Sequence, residues 1–246
     1  MDGMLLIDKP SGWTSFDVVA KVRSELRKSL KSKAESEKDK NTGLSTLSFI
    51  ASTPSRKVKV GHTGTLDPLA TGLLIIVVGT YCKRAGEFSG MDKVYEVTMT
   101  LGQTSTTGDD EGEKTLVNDT QPSEEAMRKS LEKFTGSIMQ TPPIYSAIKI
   151  GGQRAYKLAR EGKEVKLEPR PATIYRITDM SYTYPIVTFT TKVSSGTYIR
   201  SLVQDIGEDL GTGAYMSALQ RTEVGGYKIT NAQDISELEL EKLLQG

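Results

Sequence analysis

The chain has 246 residues, enough for one large domain or two small ones. Its 37% hydrophobic and 26% charged residues are ordinary for a globular protein. Cys82 is the one cysteine, which excludes an intramolecular disulfide, and with His62 as the one histidine it also excludes a Cys/His zinc site.

Net charge is +1, which by itself gives little attraction to nucleic acid. The charges are unevenly placed, however. Residues 21–59 carry eleven Lys/Arg against four Asp/Glu, and residues 140–170 carry seven against three. From Asp205 onward the balance reverses to three against eight. Phosphate binding needs a local basic face rather than a basic average, and solvated helix faces give the same counts. Met4–Ile7 is too short for a signal segment and runs into Asp8-Lys9-Pro10. No apolar run reaches membrane-spanning length, so a cytoplasmic protein is expected.

Met4–Ile7 reads as a short strand ending in the turn cluster Asp8–Gly12. Ser15 is placed to cap a helix with apolar positions at Val18, Val19, Val22, Leu26 and Leu30. At Lys31 the character changes, and residues 31–57 read as a flexible insertion in which Leu47–Ile50 is apolar enough to dock locally.

The stretch Gly61–Gly72 holds three glycines and a proline, and the apolar run Leu73–Val78 follows it. The run has the length and β-branching of a buried strand, so a tight loop is delivered onto the end of a core strand. Asp67 is the only acid between Asn41 and Gly86. Local composition alone makes it a turn former or helix cap. No Walker-type Lys-Ser/Thr or GxGxxG spacing occurs here.

Cys82-Lys83-Arg84 is expected to open a helix, and Asp92-Lys93-Val94-Tyr95 to start an alternating strand with Tyr95, Val97, Met99 and Leu101 on one face. Ser123 caps a helix striped by Met127, Leu131 and Phe134, ended by Gly136. Gln140–Gly162 combines Pro142-Pro143, the Gly151-Gly152 pair and the cations Lys149, Arg154, Lys157 and Arg160, a combination suited to a hinged, phosphate-contacting segment. Thr173–Thr183 and Ile186–Val193 pair around Tyr184-Pro185. A helix carrying Leu202, Val203, Ile206 and Leu210 stops at Gly211, and Ser236–Leu244 reads as a final amphipathic helix.

Four strings in order, GHTGTLDPLATGLL, DKVYEVTMTLGQTSTTGDDEG, QTPPIYSAIKIGGQRAYKLAREG and SSGTYIRSLVQDIGEDLGTGAYMSALQRTEVGGY, resemble the motifs of the TruB family of tRNA pseudouridine synthases. The opening LLIDKPSGWTSFDVV resembles the family's N-terminal segment, whose Asp-Lys-Pro turn borders the active-site cleft. The resemblance covers nearly the whole chain outside residues 31–57. It implies an α+β pseudouridine synthase fold: a large, mostly antiparallel sheet flanked by helices, with a central basic RNA-binding cleft. It also leads us to expect a single catalytic domain over residues 1–246, without the C-terminal PUA-type domain of bacterial relatives. Leu69-Ala70-Thr71 is more like the stand-alone branch than the guide-RNA-dependent one.

By the same resemblance the chain isomerises the T-loop uridine of tRNA (position 55) to pseudouridine after flipping the base. Asp67 matches the nucleophile and Arg200 its partner, a guanidinium that keeps a carboxylate ionised. Tyr95 matches the residue that stacks on the base, although a strand tyrosine also serves as plain core. Tyr198 matches an active-site residue, with acid/base work and packing both open to it. His62 matches an RNA contact, Leu219 borders the base pocket, and Lys93 and Lys149 are candidate substrate contacts.

The reaction changes no oxidation state, so no cofactor or metal is expected, and the partner is the T arm of tRNA bound by a monomer. Attack on the base, attack on the sugar and a glycal route all remain open for Asp67. A non-catalytic RNA-binding or tRNA-folding protein retaining the fold is the alternative. A sugar or nucleoside hydrolase would need a second acid beside Asp67, for which Asp8 and Asp109 are candidates.

Overall fold

Two adjacent hydroxyls, Thr14 and Ser15, stand before the first helix, and they divide the work. In the computed structural model, which describes residues 2–40, 58–146, 148–163 and 165–243, Thr14 is the cap. Its Oγ accepts the Asp17 N–H at 3.1 Å, while Asp17 Oδ2 accepts the Thr14 N–H at 2.8 Å, a reciprocal capping box. Ser15, the expected cap, instead turns inward (see below). Helix α1 runs from Ser15 to Lys40. Val18, Val19, Val22 and Leu26 are buried along it as the spacing requires, whereas Leu30 is 40% exposed.

The change of character at Lys31 does not end α1. Lys, Ala and Glu are good helix formers, so losing the apolar stripe removes packing without removing the helix. The rest of the expected insertion, including Leu47–Ile50, lies outside the described residues.

The chain divides into two compact units: Met1–Pro68 with Gly72–Ser89 and Tyr227–Gly246, and Leu69–Thr71 with Gly90–Gly226. In the first, β1 (Gly3–Lys9) pairs antiparallel with β3 (Thr71–Val78), from Gly3 opposite Val78 to Lys9 opposite Gly72. On its other edge β3 takes β2 (Val60–His62). The strand Gln233–Asp234 adds in parallel beside Ile7–Asp8. Leu73–Val78 is buried throughout, as a strand covered on both faces must be.

Cys82-Lys83-Arg84, expected to open a helix, ends the 3-10 turns of Gly79–Arg84 that lead into α2 (Ala85–Ser89). The expected C-terminal helix is also absent: two separate 3-10 turns, Ile235–Glu237 and Leu240–Lys242, occupy its place. One side chain caps the first 3-10 turn, and another takes a backbone group that a helix would use. Asp234 Oδ1 accepts the Ser236 N–H at 2.7 Å, and Gln233 Oε1 accepts the Glu239 N–H at 2.7 Å.

The second unit is built on β4 (Lys93–Leu101). Beyond it lie the small pair β5 (Gln103–Ser105) and β6 (Lys114–Leu116), then α3 (Glu124–Lys133), capped as expected by Ser123. Next come β7 (Gly136–Gln140) and a hairpin of β8 (Lys149–Ile150) and β9 (Gln153–Arg154). Gly151 and Gly152, both at positive φ, make its two-residue turn. After α4 (Ala155–Arg160) follow β10 (Arg170–Thr183), β11 (Ile186–Val193), α5 (Ile199–Asp209) and β12 (Ala214–Val224). The large strands pair in the order β12-β4-β11-β10-β7, every pair antiparallel.

Helix α5 is tied to α3 by Asp209, whose carboxylate accepts from Ser130 Oγ at 2.8 Å and pairs with Lys133. Those two donors hold the Asp209 carboxyl below its ordinary range. Near the end of α5, Gly207 lies against the following turn. A Cβ there would meet Ala214 N at 2.3 Å and Gly213 C at 2.5 Å, both backbone atoms with no freedom to retreat. Gly207→Ala is therefore expected to destabilise the protein by about 1–3 kcal/mol, measured by urea denaturation, with the overpacking located in the α5–β12 corner.

Candidate active site

In the first unit the loop before β3 is held from both sides of Asp67. The Ser15 hydroxyl is buried; it accepts the Leu66 N–H at 2.9 Å and donates to the Leu66 carbonyl at 3.1 Å. The Pro68 carbonyl accepts from the Gly12 N–H at 2.9 Å and from Lys9 Nζ at 3.2 Å. Lys9 is 0% exposed, and its ammonium also donates to the carbonyls of Trp13 at 2.6 Å and Pro10 at 2.8 Å. Charge-assisted bonds of this kind are the condition for burying an ammonium. The residues on either side of Asp67 are thus fixed, while Asp67 itself is half-buried. His62, also half-buried, closes β2, and the exposed Phe16 ring meets it edge-on with centroids 5.2 Å apart.

Asp8 lies on β1 opposite Asp234. Burial first, and the Asp234 charge second, raise its carboxyl above the ordinary value.

In the second unit one face of the sheet gathers three of the expected residues, together with Arg221. Tyr95 pairs in register with Thr191 on β11 and Arg221 on β12, and Val97 pairs with Phe189 and Leu219. Register partners share a face, so Tyr95, Leu219 and Arg221 lie together, with Lys93 on the same face two residues from Tyr95. The Thr71 hydroxyl reaches the Leu219 carbonyl at 3.5 Å.

Lys93 is buried, donating to the Met91 carbonyl at 2.5 Å and to Ser195 Oγ at 3.5 Å. Burial, and then the nearby Arg221 charge, lower its pKa to about 8, with Asp92 opposing. Lys149 is exposed on β8.

Tyr198 immediately precedes α5, and Arg200 lies in its first turn. The Arg200 guanidinium is buried. It donates to the Thr107 carbonyl at 3.1 Å and the Tyr145 carbonyl at 2.8 Å, and it faces Asp109 Oδ2 at 3.5 Å. Asp109 is itself buried and accepts from the Thr107 hydroxyl. An acid considered above as a second catalytic carboxylate is therefore engaged with Arg200. Sequence reasoning gave no role to Lys9, Ser15, Asp109 or Gln140 in holding these groups. The only available signal was that each falls inside a motif string. Among the described residues no group of three or more His, Cys, Asp or Glu is placed to hold a metal ion, and no helix is long and apolar enough to cross a membrane.

The lowered Lys93 pKa fixes a pH dependence. Below about pH 8 the lysine is charged in both the folded and unfolded states, and its burial cost is constant. Between about 8 and the ordinary 10.5 the folded chain has released the proton while the unfolded chain still holds it, so the Lys93 contribution to stability rises with pH. Urea denaturation across this window is expected to show wild type gaining on Lys93→Met as pH rises.

Two family models match the chain in succession. The model described as "TruB family pseudouridylate synthase (N terminal domain)" matches residues 53–199. That of the "tRNA pseudouridylate synthase B C-terminal domain" matches residues 200–245. The chain is 43% identical to tRNA pseudouridine synthase B of Fusobacterium nucleatum over 93% of its own length and 70% of the relative's. It is 39% identical to the same enzyme of Thermobifida fusca, over 98% and 75%. Among solved structures, a chain of a Cbf5-Nop10-Gar1 complex superposes with a TM-score of 0.66 at 27% identity. That match covers 96% of this chain and 53% of the solved one. With the family models matching consecutive segments and these identities over most of both sequences, the chain belongs to the TruB family of tRNA pseudouridine synthases.

Proposed function

We propose that this chain isomerises the T-loop uridine at position 55 of tRNA, with Asp67 as the nucleophile. The observation that carries the assignment is the fixation of Leu66 and Pro68 by Ser15, Gly12 and Lys9. A nucleophile gains most when its backbone is held before substrate arrives, because the ordering cost is met during folding.

The reaction breaks the N1–C1′ bond of the uridine and forms a C5–C1′ bond. The proton displaced from C5 ends on the ring nitrogen or solvent, so no oxidant or reductant is required. In this reading the Asp67 carboxylate attacks the base, attacks C1′, or assists a glycal. Arg200 supplies positive charge to the reaction. Tyr95 and Leu219 receive the extruded base by stacking and apolar contact, and Tyr198 serves the proton shift. His62 contacts the RNA beside the flipped nucleotide. Lys149 meets backbone phosphate, and Lys93 supports the base-binding face. The enzyme acts as a cytoplasmic monomer on the T arm.

Incubation with unmodified tRNA transcript is expected to yield pseudouridine at position 55. Asp67→Asn, nearly isosteric, is expected to lower the single-turnover rate by at least about a thousandfold while leaving tRNA affinity within about threefold. A substitution silent in the modification assay overturns the assignment. No product from wild type at any enzyme excess favours an RNA-folding role instead.

A further inference from the structure

Gln140, the last residue of β7, is 2% exposed, and its side-chain amide is directed at the backbone of one residue. Oε1 accepts the Tyr198 N–H at 2.8 Å, and Nε2 donates to the Tyr198 carbonyl at 3.0 Å. A side chain has here taken the place of a strand partner, supplying one donor and one acceptor at the right spacing. Tyr198 is extended, at φ −103° and ψ 110°, so both of its backbone groups are presented to such a partner. The Tyr198 carbonyl also accepts the Leu202 N–H at 3.1 Å, the first bond of α5. Gln140 therefore holds the residue that sets where α5 begins.

Two more contacts join the segment after Gln140 to the same turn. Ser201 Oγ donates to the Thr141 carbonyl at 2.8 Å, and Arg200 donates to the Tyr145 carbonyl at 2.8 Å. Residues 140–145 thus form a strap fastened at three points to the start of α5. Of these three contacts, it is the Gln140 one that touches Tyr198.

We propose that Gln140 is a positioning residue, whose amide fixes the Tyr198 backbone and through it the placement of Tyr198 and Arg200 toward the uridine. This rests on the reading above in which Tyr198 and Arg200 serve the reaction. The energetics favour such a role. A buried amide with both polar atoms satisfied favours one arrangement, and moving the Tyr198 backbone away costs the buried Gln140 amide both of its bonds. Displacing a positioned group by about 1 Å costs on the order of a hundredfold in rate.

The test uses the full chain with unmodified tRNA transcript under single-turnover conditions, together with hydrogen exchange at the Tyr198 amide. Gln140→Leu keeps much of the volume and removes both bonds. It is expected to slow the chemical step by about 10–100-fold, with tRNA affinity changed less than about threefold. Gln140→Glu keeps the acceptor for the Tyr198 N–H and is expected to fall between wild type and Gln140→Leu. Ser201→Ala loosens the strap at Thr141 without releasing Tyr198, and is expected to lower thermal stability while keeping the rate within about twofold.

A wild-type rate in folded Gln140→Leu overturns the proposal, as does an equal rate loss in Ser201→Ala. Should Gln140→Leu fail to fold, a wild-type rate in Gln140→Glu overturns it instead. Failure of the functional assignment appears separately, as wild type that makes no pseudouridine. The exchange measurement then decides: unchanged Tyr198 protection in Gln140→Leu contradicts the clamp, and lost protection supports it.

Discussion

A buried ammonium organises the first unit. Lys9, at the end of β1, gives its charge to the carbonyls of Pro10, Trp13 and Pro68. Two of these belong to the turn that leads into α1, and the third belongs to the loop that leads into β3. One cation therefore fixes the path of two connections that are distant in sequence. An ammonium with 0% exposure is tolerable only while those acceptors stay in place, so the arrangement is close to all-or-none. Ser15 adds the neutral counterpart, exchanging both possible bonds with Leu66. Asp67 stands between the two residues so held.

The second unit solves a similar problem with different chemistry. Its antiparallel sheet sets Tyr95, Leu219, Arg221 and Lys93 on one face by register alone. Tyr198 immediately precedes α5 and Arg200 lies in its first turn, where the backbone N–H groups have no intrahelical acceptor. The missing restraint comes from outside the helix: Gln140 on the Tyr198 backbone, and Asp109 with two carbonyls on the Arg200 guanidinium. Buried polar groups thus hold the backbone beside Asp67 in the first unit, and Tyr198 and Arg200 in the second.

Much of this was legible in the sequence where the signal is local. The Leu73–Val78 strand, the Ser123 cap, the paired strands around Tyr184-Pro185 and the α5 stripe ending at Gly211 follow from spacing and composition within a dozen residues. The family motifs brought Asp67, Tyr95, Tyr198 and Arg200 into view. What could not be read was long-range choice. Thr14 and Ser15 are equivalent caps until Leu66 arrives to occupy one of them. Gln140 and Tyr198, like Asp109 and Arg200, are far apart in sequence, and no local pattern marks either pair. The C-terminal segment misled for the opposite reason: its apolar spacing suits a helix, but Gln233 takes the Glu239 N–H that a helix would bond. At Lys31 a fall in apolar content suggested the end of α1, although propensity carries the helix to Lys40.

The most direct test of the account removes the Lys9 charge and reads its effect at Asp67. In Lys9→Met the stem is largely preserved while the donors to the Trp13 and Pro68 carbonyls are lost. Single-turnover pseudouridine formation on saturating tRNA transcript is expected to slow by at least about tenfold in the folded variant, with faster hydrogen exchange at the Gly12 amide and little change in tRNA affinity. A folded Lys9→Met protein that forms pseudouridine at the wild-type rate would show that the Asp67 loop does not depend on this fastening, and the central claim would be wrong.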